Sequence, residues 1–106
     1  MNDKVYRYLG LAKRSGNLIS GYNTCLHYMG KKKVKLIIIS EDAAENTKSK
    51  LIQQAARNNI EYMVWGLKDK LSHSVGANNR SVFGITDDNF ARVVALEIKN
   101  NATRKE

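Results

Sequence analysis

Asn23, Thr24, His27 and Lys31 are the residues of this chain whose types and spacing best suit joint chemistry. On a helix advancing about 100° per residue, with Asn23 at the origin, His27, Lys31 (if the helix reaches it) and Thr24 fall at about 40°, 80° and 100°. One arc thus presents an amide, an imidazole, an ammonium and a hydroxyl, while Tyr22, Cys25, Leu26, Tyr28 and Met29 lie on the other side. Gly21 stands in front, so the unpaired N–H groups of the first turn would face outward, where they favour a phosphate. Such a set could hydrogen-bond base edges, neutralise phosphates and allow a close backbone approach at the glycine. A solvated helix face is the alternative reading, and these residues alone support both equally.

Other groupings offer less. The chain has no Gly-x-Gly-x-x-Gly, no phosphate loop of the Gly-x-x-x-x-Gly-Lys type and no Gly-x-Ser-x-Gly elbow. Cys25 and His27 are two soft ligands where structural zinc takes four, and Cys25 reads better as a small core hydrophobe. His73 is expected on the surface or in a loop. Glu41-Asp42 and Asp87-Asp88 both precede expected helices, where capping accounts for them. Trp65, at a strand end before Gly66, reads as a lid on the core. The expectation is a protein with no catalytic residue, metal, cofactor or small-molecule substrate.

Holding the polar arc requires a scaffold, and the apolar spacing describes one. Val5, Tyr8, Leu9 and Ala12 recur at i, i+3, i+4 and i+7, predicting a helix over 3–14 that Gly16 ends. Residues 17–20 form a small strand, the arc-bearing helix runs from Gly21 to Gly30, and Lys31-Lys32-Lys33 make a basic turn. Residues 34–39 are apolar at nearly every position, which suits a central strand covered on both faces. Asp42-Ala43-Ala44-Glu45 has capping-box spacing, and Leu51, Ile52, Ala55 and Ala56 supply the inner face of a helix ending near Asn58-Asn59. A strand over 60–65, a short helix over 68–74, a turn-rich loop over 75–80 and a strand over 81–85 follow. The last helix takes Thr86 as its cap, Asp87 and Asp88 in its first turn, and Phe90, Val93, Val94 and Ile98 as its apolar side. This alternation implies an α/β fold: a three-layer α/β/α sandwich with a small four-stranded mixed, mostly parallel sheet and right-handed crossovers. Residues 1–106 form one domain, with its core over 3–99 and a frayed tail over 100–106.

A chain of 106 residues with 42% hydrophobic residues and one cysteine can bury a modest core without disulfides. Its longest apolar run, Leu36-Ile37-Ile38-Ile39, falls far short of the ~20 residues a membrane span needs. The first residues carry Asp3 and lack an apolar signal stretch, so the expected location is the cytoplasm, away from membranes. The net charge of +8 is uneven: residues 1–35 hold eight bases against Asp3 alone, and residues 36–106 hold ten bases and nine acids. That asymmetry points to a polyanion, most often nucleic acid, with a simple solubility charge as the alternative.

Four segments then resemble a known family in their order and spacing. They are Leu9-Gly10-Leu11-Ala12-Lys13-Arg14-Ser15-Gly16, Ile19-Ser20-Gly21-Tyr22-Asn23, Leu36-Ile37-Ile38-Ile39-Ser40-Glu41-Asp42-Ala43 and Leu71-Ser72-His73-Ser74-Val75-Gly76. The resemblance is to the kink-turn RNA-binding ribosomal protein family, which includes large-subunit proteins seven-Ae and thirty-e. Within it the chain looks most like the small stand-alone bacterial YlxQ-type members. The likeness spans residues 3–99. It implies a non-enzymatic protein that grips a kink-turn or related internal loop in ribosomal or other structured RNA, with a ribosome as one setting. The family meets tandem sheared G·A pairs with the first turn of its second helix and packs a loop before the last strand against an unstacked nucleotide. Carried onto this chain, the likeness assigns Gly21, Asn23, Thr24, His27 and Lys31 of the helix and Gly76, Ala77, Asn78 and Arg80 of the loop, and the expected RNA site also takes in the neighbouring Lys13, Arg14, Tyr22 and Lys32.

Asn23 matches the asparagine of the family's Gly-x-Asn-Glu motif, but Thr24 stands in place of its glutamate, and a neutral hydroxyl accepts hydrogen bonds less strongly. His27 stands where many members have lysine, so its phosphate contact would weaken above pH ~6.5. Ser72 replaces the first glycine of the usual Leu-Gly-x-x-x-Gly turn. Two other roles fit the same fold. One is an RNA-gripping partner of an RNA methyltransferase, for which this chain lacks a cofactor-binding half; the other is a protein-interaction regulator.

Overall fold

Leu36, Ile37, Ile38 and Ile39 are all fully buried because the strand they form is covered on both faces. In the computed structural model, which describes residues 3–103, the elements run α1 (Asp3–Arg14), β1 (Leu18–Ser20), α2 (Tyr22–Gly30), β2 (Leu36–Ile39), α3 (Glu45–Arg57), β3 (Glu61–Val64), α4 (Lys68–Ser74), β4 (Val82–Ile85) and α5 (Asp88–Thr103). Leu36 and Ile38 join one core with Val5, Leu9 and Ala12 of α1, Leu71 of α4 and Val94 and Ile98 of α5. Ile37 and Ile39 join the other, with Cys25 and Met29 of α2 and Leu51 and Ala55 of α3. The two-residue period of one strand therefore sorts the described helices into two layers, giving the expected α/β/α sandwich.

The strand order is β1-β4-β2-β3, so β2 is interior, as its apolar run requires. One expectation about the sheet is corrected: it is mixed but not mostly parallel. Only β2 and β3 pair in parallel, while Ile85 of β4 lies antiparallel opposite both Leu18 of β1 and Leu36 of β2. The cause is the last connection. A parallel return needs a crossover running the length of the sheet. Here the seven-residue α4 starts beside the end of β2, where Asp42 Oδ1 accepts the Lys68 N–H at 3.0 Å, and the chain re-enters the sheet from that same end.

Helix limits follow the periodicity closely, but helix caps do not. The expected capping box before α3 is absent: Ala44 is the N-cap and makes no side-chain cap bond, because Asp42 is committed to α4. Asp87 rather than Thr86 caps α5, its Oδ2 accepting the Phe90 N–H at 2.9 Å. Ala56 is exposed and Ile52 only half-buried, so the inner face of α3 narrows to Leu51 and Ala55. α5 runs on to Thr103, four residues beyond the expected core limit; residues 104–106 lie outside the described residues.

Four helices end the same way, with a left-handed residue followed by a backbone bond back into the last turn. The bonds are Asn17 N–H to Ala12 O at 2.7 Å, Lys33 N–H to Tyr28 O at 3.0 Å, Ile60 N–H to Ala55 O at 2.8 Å and Ala77 N–H to Ser72 O at 2.8 Å. Glycine takes the left-handed position after α1 and α4, and asparagine after α3. After α2 it is Lys32, with φ +59°.

Candidate nucleic-acid interface

The site begins where β1 gives way to α2. Gly21 has φ +103° and ψ 147°, a conformation essentially reserved for glycine. Its N–H donates to Val82 O at 2.9 Å, which staples this turn to the start of β4. The first backbone bond of α2 runs from the Cys25 N–H to Gly21 O at 3.0 Å, so the N–H groups of Tyr22, Asn23 and Thr24 precede the helical ladder. No side chain caps this end, and its first turn holds no acidic residue. The positive end of the helix dipole therefore stands uncompensated beside the exposed side chains of Asn23 and Thr24.

Arg80 completes the arrangement from a distant part of the chain. A Cβ at Gly21 would sit 2.9 Å from Arg80 Nη1, with Thr24 Oγ1 at 3.9 Å, so the guanidinium occupies the space that the missing side chain leaves. Among the described residues no carboxylate pairs with it. The Arg80 backbone is pinned by Ser72, whose Oγ accepts the Arg80 N–H at 2.8 Å and donates to Arg80 O at 2.9 Å. At the loop's other end, Gly76 at φ +70° closes α4. The loop is thus clamped at both ends and presents Gly76, Asn78 and Asn79 to solvent, with Ala77 half-buried against the first core.

Ser72 is a part of this arrangement that sequence reasoning missed, having read it only as a replaced glycine. It is 3% exposed. The available signal was a serine amid the apolar positions of a short helix, since a buried hydroxyl needs partners and the nearest candidates lie in the following loop.

The remaining candidates divide by location. His27 is exposed one turn further along α2, edge-on to Tyr28 at 5.8 Å between ring centroids. Cys25 faces the opposite way, and burial pushes its thiol up to about 12. Tyr22 is half-buried against the second core. Arg14 lines a groove with Arg7, Gly10 and Ser74, and Lys13 is exposed in the last turn of α1. α2 ends at Gly30 and Lys31 follows directly as its C-cap, its N–H donating to His27 O at 3.3 Å, one turn beyond His27. Lys31 and Lys32 therefore sit at the far end of the helix from Gly21, and Lys32 lines a separate groove with Lys33 and Lys35. No described helix is long and apolar enough to cross a membrane.

With this geometry in view, comparison with known proteins is consistent across sequence and structure. Residues 3–95 match the family described as Ribosomal protein L7Ae/L30e/S12e/Gadd45. The RNA-binding protein YlxQ of Enterococcus faecium is 30% identical over 89 residues, covering 84% of this chain and 85% of that protein. RNA-binding protein YlxQ of Bacillus subtilis (strain 168) is 30% identical over 83 residues, covering 78% and 83%. A solved Bacillus halodurans C protein of unknown function superposes with a TM-score of 0.88 at 32% identity, covering 91% of this chain and 97% of that one. The Giardia lamblia 15.5kD RNA binding protein superposes with a TM-score of 0.75 at 20% identity, covering 92% and 83%, which is a likeness of fold.

Proposed function

Since the chain belongs to the ribosomal protein L7Ae/L30e/S12e/Gadd45 family, we propose that it is a non-enzymatic RNA-binding protein that grips a kinked internal loop through the N-terminal end of α2. The observation that carries this reading is the Arg80 guanidinium seated over Gly21, beside an uncapped helix N-terminus with no acid in its first turn. Backbone N–H groups and a guanidinium close to one spot suit a phosphate. Asn23, exposed at the same end, supplies the paired donor and acceptor of an amide for a base edge, and the Thr24 hydroxyl adds a second such group.

Regular RNA duplex buries its base edges in a deep, narrow groove, whereas a kinked loop with non-Watson–Crick pairs splays them outward. The clamped loop with Gly76, Ala77 and Asn78 offers a surface for a nucleotide that the kink unstacks. Thr24, where the family motif has glutamate, leaves the Arg80 cation without a neighbouring carboxylate to spend itself on, which shifts recognition toward phosphate. The expected RNA is ribosomal or another structured RNA, and the expected setting is the cytoplasm.

Titrating purified protein with a G·A-containing kinked RNA and with a plain duplex of equal length tests this. Asn23→Ala should weaken the kinked RNA by about tenfold, roughly 1.4 kcal/mol, with little effect on the duplex, while Arg80→Ala weakens both. Equal losses on the two RNAs for Asn23→Ala would remove the base contact from the reading.

A further inference from the structure

The basic turn that follows α2 in the chain lies away from the recognition end in space. α2 has nine residues, about 13 Å of rise, and Lys31 caps its C-terminus, so Lys31, Lys32 and Lys33 stand at the other end of this helix from Gly21, which Arg80 overlies. One phosphate cannot meet both ends. Two grooves here share Lys32 and Lys35. One, of about 400 Å³, is lined by Lys32, Lys33 and Lys35, and the other, of about 660 Å³, by Lys32, Lys35, Arg92, Asn58 and Asn59.

Three features argue that these joined grooves take a ligand. The first is Lys32, which holds φ +59° at the helix-ending position that glycine or asparagine fills in the other helices that end this way. A lysine holds left-handed backbone where a glycine would be unstrained, and the turn sets that lysine in both grooves at once. The second is the charge left over. Two acids line the larger groove, but Glu61 is paired with Lys99 at 3.2 Å, and Asp88 lies 3.9 Å from Lys35 with both partners well exposed. Lys32, Lys33 and Arg92 have no ion pair among the described residues. The third is their spread: the cations are strung along two connected grooves and do not converge on one point, which matches a chain of phosphates better than a single small anion. Asn59 adds an exposed amide of the kind that holds phosphate and ribose oxygens, while the Asn58 Nδ2 donates to Gln54 O at 2.8 Å.

We propose that this surface binds the phosphodiester backbone of a second RNA segment, so that one protein molecule bridges two segments. It rests on the RNA-binding reading but uses different residues. Its test starts from protein saturated with an unlabelled kinked hairpin, into which a labelled short RNA duplex is titrated and followed by anisotropy. The preformed complex should bind the duplex. Lys33→Glu combined with Lys35→Glu should weaken that second binding by at least about tenfold while hairpin affinity changes less than about twofold. Lys32→Gly separates charge from folding: it should raise the melting temperature and still weaken duplex binding.

Refusal of the duplex by the saturated protein, equal loss of both RNAs in the Lys33→Glu/Lys35→Glu protein, or unchanged duplex binding by Lys32→Gly would overturn the proposal. The duplex titration repeated on Arg80→Ala protein reads this surface independently. A hairpin that fails to bind wild type would count against the recognition end alone.

Discussion

Ser72 and Arg80 show how one hydroxyl can govern a site it never touches. Ser72 Oγ satisfies both backbone groups of Arg80, and the guanidinium is aimed over Gly21 only while that backbone stays in place. Ser72→Ala strips a donor and an acceptor from a largely enclosed position, a loss of about 1–2 kcal/mol. For a domain of this size that lowers the melting temperature by about 4–8 °C per kcal/mol. RNA affinity should fall as well, because the loop that presents Arg80 loosens. A thermal melt beside an RNA titration checks both, and a destabilised protein with unchanged affinity would show that Arg80 is held by other means. Gly21 was legible as the candidate turn before α2 because its place before a polar helix face is a local pattern. Ser72 was not, because its partners are backbone atoms of a loop that linear spacing does not locate.

At the scale of elements, α4 depends on a contact that the capping-box spacing assigned elsewhere. The Lys68 N–H donates to Asp42, and that bond holds the Asp42 carboxyl below its ordinary value. A carboxylate depressed in the folded state contributes its full stabilisation above its unfolded pKa of about 3.9 and loses it as pH falls through the lower folded value. Asp42→Ala should therefore melt earlier than wild type at pH 7, and the gap should persist near pH ~4 and close on further acidification. Melting curves over an acid series test this, and a gap that widens toward low pH would refute the assignment. Helix lengths were legible because 3.6-residue periodicity is written in the apolar positions. Caps were not, since Asp42 had two N–H groups to choose from and only the fold decides which is near. Thr86 and Asp87 pose the same problem one residue apart, and Asp87 is the one whose carboxylate reaches the Phe90 N–H.

Over the whole molecule, the basic surplus of residues 1–35 does not form one patch. The fold sends part of it to the α1 groove with Arg7 and Arg14, and part to the Lys31–Lys33 pole, while Arg80 from the other half of the chain supplies the guanidinium at α2. If roughly four phosphates are met at the recognition end, log affinity for the kinked RNA should fall with log salt at a slope of about −3. Arg80→Ala should reduce that slope by about 0.7–0.9. Binding isotherms across a salt series give both values, and a wild-type slope near zero would exclude phosphate contacts as the main source of affinity.

What the sequence by itself determined is whatever has a short repeat or a count: the helices and strands, the doubly covered central strand, the polar face of α2 and the excess of positive charge. The antiparallel entry of β4 and the union of Gly21, Thr24, Ser72 and Arg80 were decided only by tertiary structure. The physical reason is range. Periodicity reports which face of an element is buried, whereas these arrangements depend on which ends of different elements meet, and that follows from how both faces of one small sheet are covered at once.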